Sequence, residues 1–258
     1  MSERVAVVTG GGRGLGRGIA CELARNGCDL VLGWRSDEAA LQEAVDRVAA
    51  LGAKALAVQG DVSDPETSEQ LAKAALSELG SLDVWVNNAG ISRLSPLLET
   101  SIADMASMMD ANFFGTFHGL KAAGSAMKEA GQGGRIINVA SDLGLLAAPL
   151  LAGYSATKFA VVGLTQAAAV ELAPYGICVN AVCPGTVETD MVLAEAQAEA
   201  DHFDISLESV RQRLLDDVPA GRLCTPEDVA ALVAWLASPP AGFITGQAIC
   251  TNGGSIRH

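Results

Sequence analysis

The feature that most constrains this chain is an alternation, repeated along its length, of short β-rich apolar runs with longer stretches of helical period. Val5–Val8, Asp29–Gly33, Ala55–Val58, Val84–Asn87, Arg135–Ala140, Ile177–Val182 and Gln247–Thr251 read as strands. Leu15–Asn26, Glu38–Leu51, Pro65–Leu79, Ser101–Glu129, Tyr154–Pro174 and Pro226–Ala237 read as the helices between them. Strands that are apolar almost throughout are buried on both faces, which demands a parallel sheet with helices packed on each side. The pattern predicts an α/β fold of about seven strands. Gly and Pro punctuate the elements singly and no low-complexity run intervenes, so one domain is expected across residues 1–258. The acidic segment Glu188–Asp217 lies between a strand and a helix and has helical character without a strand signal. An excursion of this size is expected to be a substrate lid, at about 188–217.

A formal net charge of −13 opposes capture by nucleic acid or an anionic membrane, since both need Lys and Arg to replace their counterions. An anionic ligand must then be held by local devices such as helix N-termini, backbone N–H groups and placed arginines. The uncharged stretch Leu143–Thr157 contains Pro149 and is too short for a spanning helix, so it is expected to be buried. The chain runs from Met1-Ser2-Glu3-Arg4 directly into strand-like sequence, without the parts of a secretory leader. The six cysteines, Cys21, Cys28, Cys178, Cys183, Cys224 and Cys250, form no CxxC pair. Both observations point to a cytoplasmic location with reduced thiols. His118, His202 and His258 lack ligand spacing, and no metal is expected.

Thr9-Gly10-Gly11-Gly12-Arg13-Gly14-Leu15-Gly16 follows the first strand and opens the first helix. Where a strand turns into a helix at this point, glycines let backbone approach a pyrophosphate and free N–H groups supply positive potential. The spacing of Gly10, Gly14 and Gly16 departs from GxGxxG. It matches instead the TGxxxGxG motif of the short-chain dehydrogenase/reductase family, which the chain resembles nearly end to end. Asp61-Val62 is similar to the family's adenine-contacting pair, Asn87-Asn88-Ala89-Gly90 to its NNAG motif, and Pro184-Gly185 with Val187 and Thr189 to its nicotinamide-side loop. Ile244-Thr245-Gly246-Gln247 and Asn252-Gly253-Gly254 resemble its C-terminal signature. The resemblance implies a Rossmann-type doubly wound sheet, a nicotinamide cofactor and a homotetramer, with the helices near Ser101–Glu129 and Tyr154–Pro174 at one interface and the last strand at another.

Cofactor choice is read at the end of the second strand, where an acidic residue would accept hydrogen bonds from a free ribose hydroxyl. Trp34 stands where the resemblance puts that residue, followed by Arg35-Ser36, so a 2′-phosphate would meet a cation and a hydroxyl with no repelling carboxylate. Arg13 is a second cation for the same phosphate. NADP(H) is the expected cofactor, with NAD(H) as the runner-up.

Tyr154 and Lys158 stand four residues apart at the start of a predicted helix, so both side chains emerge on one face. A nearby cation stabilises phenolate and would draw the phenol toward a working pKa. Ser141 precedes Tyr154 by thirteen positions, which is the family spacing, and Asn112 falls where the family carries the Asn that helps order a proton-relay water. The resemblance implies proton donation by Tyr154, orientation of the substrate oxygen by Ser141, ribose binding and pKa lowering by Lys158, and proton replenishment through Asn112. The substrate is expected to be a small carbonyl or alcohol, a 3-oxoacyl thioester or similar ketone, with a polyol or sugar as the alternative. A non-catalytic redox sensor on the same fold would not need this proton-transfer set.

Overall fold

The computed structural model describes residues 4–256. Seven strands, β1 (Arg4–Val8), β2 (Cys28–Trp34), β3 (Ala55–Gln59), β4 (Val84–Asn87), β5 (Gly134–Val139), β6 (Ile177–Pro184) and β7 (Ala248–Thr251), form one sheet in the order β3-β2-β1-β4-β5-β6-β7. Every neighbouring pair is parallel. The expected Rossmann-type doubly wound sheet is therefore present. Its order reverses between β1 and β4, and a crevice opens at such a switch point at the carboxyl ends of the strands.

Alternate residues of each strand feed two separate cores, as the period of a strand requires. Ala6, Val8, Leu30, Leu32, Val84, Val86, Ile137 and Val139 pack with helices α1 (Gly14–Arg25), α2 (Glu38–Ala50) and α9 (Pro226–Ala237). Val5, Val7, Val31, Trp85, Ile136 and Val179 pack with α3 (Pro65–Ala74), α5 (Gly115–Ala130) and α6 (Ala152–Leu172). Local chemistry sets the helix starts: Asp37 caps α2, Asp64 caps α3 ahead of Pro65, and Thr225 forms a reciprocal capping box with Asp228 on α9.

Several boundaries differ from expectation. The Ser101–Glu129 segment is α4 (Ile102–Met108), a π-helical turn (Met109–Phe114) and α5, and the turn contains Asn112. A second π turn, Ala75–Leu79, ends the Pro65–Leu79 helix. The stretch Leu143–Thr157, expected to be buried, is buried in part: Gly144, Gly153, Ser155 and Thr157 are interior, the last three in the first turns of α6, while the loop between Gly144 and α6 meets the surface and Leu146 is 57% exposed.

The segment 188–217 forms two helices, α7 (Asp190–Phe203) and α8 (Leu207–Asp216), held together by a small core of Ala196, Ala200 and Val210. Among the described residues, no helix is long and apolar enough to cross a membrane, and no group of three or more His, Cys, Asp or Glu is placed to hold a metal ion. Met1–Glu3 and His258 lie outside the described residues.

Candidate active site

The glycine-rich turn sits at the carboxyl end of β1, beside the reversal of strand order. Gly10 and Gly14 have φ of +63° and +50°, the left-handed region that an L side chain enters at a cost. A Cβ at Gly16 would strike the Gly10 carbonyl oxygen and stand 2.6 Å from Asn88 Nδ2. These glycines therefore keep open a close-packed cradle of main chain. Arg13, the residue before α1, provides no side-chain cap, and the first turn of α1 carries no acid, which leaves its N–H groups and dipole to an anion. Leu15 is partly buried against the core below.

Thr9 welds this turn to the end of β4. Its hydroxyl accepts from the main-chain N–H groups of Asn88 and Ala89, both at 3.0 Å, while Asn88 Nδ2 donates to Thr9 O at 2.9 Å and Gly10 O at 3.2 Å. Gly90 follows, where a Cβ would stand 3.0 Å from Asn112 Oδ1 and 3.7 Å from Lys158 Nζ. The turn after β4 thus spans from the glycine cradle to the proposed proton-transfer residues.

At the end of β2, Trp34 closes the strand and leans on the α1/α2/α9 core, with Arg35 and Ser36 exposed beyond it. One expectation fails here. Carboxylates do stand beside both candidate phosphate cations: Arg35 Nη1 donates to Asp61 Oδ2 at 3.3 Å, and Arg13 lies 4.0 Å from Asp37. Pairing of β2 with β3 brings Gln59 opposite Trp34, and so carries Asp61 to Arg35. The Asp61 carboxyl is held below its ordinary pKa chiefly by the Ser63 main-chain N–H, with the Ser63 hydroxyl and Arg35 assisting. The carbonyl of Val62 next to it lies 3.2 Å from His118 Nδ1, where it can accept from the imidazole.

Asn112, buried in the π turn, uses its whole amide. Nδ2 donates to Ile91 O at 2.9 Å and to Thr157 Oγ1 at 3.0 Å, and Oδ1 accepts from Ile91 N at 2.8 Å. It clamps the segment after Gly90 to α6. Tyr154 lies in the first turn of α6, where Thr157 Oγ1 donates to its carbonyl at 2.7 Å. Lys158 emerges one turn later, as expected, with Nζ 5.5 Å from the centre of the Tyr154 ring and donating to Val139 O at 2.9 Å.

Burial without an anionic partner pushes the Lys158 ammonium down to about 8. Burial also pushes the Tyr154 phenol well above its ordinary value. Negative charge on Glu195 and Asp142 adds to that rise, and the Ser141 hydroxyl opposes it. Lys158 is not among the groups that set the phenol here: burial, Glu195, Asp142 and Ser141 are. Ser141 follows β5 and caps a short 3-10 turn (Asp142–Gly144), its Oγ accepting from Leu143 N at 3.1 Å.

On the far side, β6 ends on Pro184 and Gly185 leads toward α7. Val187 bridges to Cys224, and Thr189 begins α7 with its methyl carbon 3.7 Å from where a Cβ of Gly14 would be. Helix α7 therefore starts beside the glycine cradle. Glu195 on α7 brings a carboxyl into the field of Tyr154; burial raises its pKa and the Ser92 hydroxyl pulls it back.

The short chain dehydrogenase family model matches residues 4–200. The chain belongs to the short-chain dehydrogenase/reductase family. L-2,3-butanediol dehydrogenase of Corynebacterium glutamicum is 40% identical over 258 residues, covering 98% of this chain and 99% of that protein. A 3-oxoacyl-[acyl-carrier-protein] reductase of Staphylococcus aureus is 37% identical over 249 residues, covering 96% of each. The crystal structure of a short-chain type dehydrogenase/reductase from Mycobacterium marinum superposes with a TM-score of 0.89 at 33% identity, covering 100% of this chain and 97% of that one. The chain is accordingly an oxidoreductase acting on an alcohol or ketone with a nicotinamide cofactor.

Four residues of this dehydrogenase site escaped sequence reasoning as site residues. Thr9 and Thr157 sit inside the recognised motifs but are not marked by spacing, because their partners come from β4 and from the π turn. Asp142 belongs to no motif, and Glu195 to a segment that sequence assigns only to a lid. Their burial beside Tyr154 follows from tertiary packing alone.

Proposed function

We propose that this dehydrogenase transfers a hydride between NADP(H) and a small carbonyl or secondary alcohol, using Tyr154, Lys158, Ser141 and Asn112. The observation that supports this reading is local proximity: Lys158 Nζ lies 5.5 Å from the Tyr154 ring, the Ser141 hydroxyl acts on the Tyr154 phenol, and Gly90 after the glycine cradle stands beside both Asn112 and Lys158. The cradle fits a dinucleotide, because it is lined by main chain that only glycine permits and it faces an uncapped helix start. Gly10, Arg13, Gly14, Leu15 and Gly16 would hold the pyrophosphate. Arg35, Ser36, Asp61 and Val62 would hold the adenosine end, with Asn88, Ala89, Gly90, Tyr154, Lys158, Pro184, Gly185, Val187 and Thr189 on the nicotinamide side. When bound, the cofactor supplies or accepts the hydride.

The protein's own task is the proton and the position of the oxygen. In the reducing direction Tyr154 Oη gives its proton to the carbonyl oxygen, and Ser141 Oγ orients that oxygen. The Lys158 cation steadies the phenolate left behind, and Asn112 keeps the segment 91–92 and α6 in register around it. Trp34 at the end of β2 and the two arginines nearby support NADP(H), while their pairing with Asp61 and Asp37 keeps NAD(H) as the alternative.

Among substrates, a neutral ketone such as a 3-oxoacyl thioester or a diketone suits the pocket. The Glu195 carboxyl near Tyr154 favours a second reading, a polyol or sugar whose hydroxyls would donate to it. Cys21, Cys28, Cys178, Cys183 and Cys224 enter no disulfide, which supports a cytoplasmic location. The lid role of α7 and α8 and the single-domain organisation belong to the same reading. So does a homotetramer, supported by exposed Phe114, Phe117, Phe159 and Val170 on the π turn, α5 and α6, and by exposed Trp235 and Phe243 near β7.

The test combines a substrate panel of acetoacetyl thioester, diacetyl and aldoses, run with NADPH and NADH, with the variant Tyr154→Phe. Turnover with at least one panel member is expected to fall by about 10²-fold or more in the variant, while NADPH affinity stays within a few-fold. A variant that kept more than about a tenth of wild-type turnover would overturn Tyr154 as the proton donor.

A further inference from the structure

Asp142 is a carboxyl-bearing side chain at 9% exposure, directly after Ser141, in a place where burying an ionisable group is costly unless its oxygens are engaged. They are engaged in two directions. Oδ1 accepts from Ser141 Oγ at 3.3 Å, and Oδ2 accepts from Ser255 Oγ at 3.4 Å, 113 residues further along the chain. Gly185 makes the approach possible: a Cβ there would lie 3.2 Å from Asp142 Oδ2 and 2.8 Å from Asn252 Cβ. Ser255 belongs to a turn closed by Gly254 N donating to Asn252 Oδ1 at 3.1 Å and Ser255 N donating to Asn252 O at 3.2 Å. The same turn reaches the base of the lid, since Ala220 N donates to Gly253 O at 3.0 Å just beyond α8.

We propose that Asp142 is a positioning residue for the Ser141 hydroxyl and, through Ser255, the anchor that ties the C-terminal turn and the outgoing end of the lid to that serine. The proposal rests on the reading of Ser141 and Tyr154 given above.

Ser141 has one hydrogen to donate. Its oxygen already accepts from Leu143 N, and its hydrogen has two acceptors within reach, the Tyr154 oxygen and Asp142 Oδ1, so Asp142 helps set the direction of that hydrogen before a substrate oxygen takes it. Burial raises the Asp142 carboxyl to about 6, and hydrogen bonds from Ser141, Leu143, Ser255 and Asn252 pull against that rise. The titratable groups that share its field are Tyr154 on α6, Cys183 on β6, Cys250 on β7 and Cys224 ahead of α9.

The experiment compares wild type, Asp142→Ala, Asp142→Asn and Ser255→Ala by kcat and KM with NADPH and diacetyl or acetoacetyl thioester, and by amide hydrogen exchange. Asp142→Ala is expected to lower kcat about tenfold, the size of one hydrogen bond to a charged group. Cofactor affinity should stay within about twofold and exchange at Ala220 should rise about tenfold. Asp142→Asn, which keeps an acceptor for Ser141, should restore kcat to within about threefold of wild type. Ser255→Ala should raise exchange at Ala220 and lower kcat less than Asp142→Ala does.

An Asp142→Ala enzyme with kcat within about twofold of wild type, or unchanged exchange at Ala220, would overturn the proposal. If Asp142→Ala does not fold, Asp142→Asn and Ser255→Ala decide it: loss of kcat in the first, or protected Ala220 in the second, counts against it. Turnover retained by Tyr154→Phe would instead overturn the reading of the site. An inactive Tyr154→Phe beside a fully active Asp142→Ala would remove Asp142 alone.

Discussion

Replacing Lys158 by Met should make the protein more stable while abolishing turnover. Lys158 is 4% exposed, meets no carboxylate, and carries its charge in the folded state at a pKa lowered from 10.5 to about 8 by burial. Each pKa unit corresponds to about 1.4 kcal/mol, so holding the cation costs the fold about 3 kcal/mol at pH 7. Met has a similar length and no charge, but it leaves Val139 O without the donor now 2.9 Å away, a loss of about 1 kcal/mol. The net gain is about 2 kcal/mol, or about 4 to 8 °C in Tm for a chain of this size.

The sign with pH follows from the direction of the shift. The folded state binds fewer protons than the unfolded state between about 8 and 10.5, so wild-type stability rises with pH across that window. The penalty is full below about 8 and vanishes above 10.5. Differential scanning fluorimetry of the two proteins should therefore show Lys158→Met ahead at pH 7 and the gap closing toward pH 10. A variant less stable than wild type at pH 7, or a gap indifferent to pH, would show that the ammonium is not buried uncompensated and that the reasoning fails.

Two further outcomes can be checked directly. Arg35→Asp should shift the ratio of NADPH to NADH dissociation constants about tenfold toward NADH by fluorescence titration, and an unchanged ratio would remove Arg35 from the 2′-phosphate. Static light scattering at micromolar concentration should give the mass of four chains, and a stable monomer would leave the exposed Phe114, Phe117 and Phe159 without a partner.

Strand positions were legible because a strand covered on both faces must be apolar on both, and this writes a continuous run into the sequence. The glycine turn, Tyr154 and Lys158 were legible because their geometry is local, spanning one turn of chain. What escaped detection depends on contacts between distant segments. Arg35 reads as a free cation until the β2–β3 register delivers Asp61 to it. Leu143 to Thr157 reads as interior throughout, and composition cannot tell its buried α6 start from the exposed loop around Leu146. The π turn has no marker either, since Met109-Asp110-Ala111-Asn112-Phe113-Phe114 would serve equally well in a regular α-helix. Tertiary demand decides it, through the three hydrogen bonds that Asn112 makes to Ile91 and Thr157.

That wider turn also adds a spare residue to the helix that contains it. Residues Ile102–Met108 and Gly115–Ala130 share one continuous rod, yet they answer to different neighbours. Met108 packs over Gly153 at the start of α6, where a Cβ would meet its side chain, while Leu120, Ala123 and Met127 face the sheet. A turn closed by i→i+5 hydrogen bonds takes up one residue more than an α turn, so deleting one residue between 109 and 114 would let the rod close as regular α-helix with both halves nearly in their present directions. What would be lost is local: Asn112 would leave its place opposite Ile91 and Thr157, so the spare residue serves to present one amide and leaves the aim of either face unchanged.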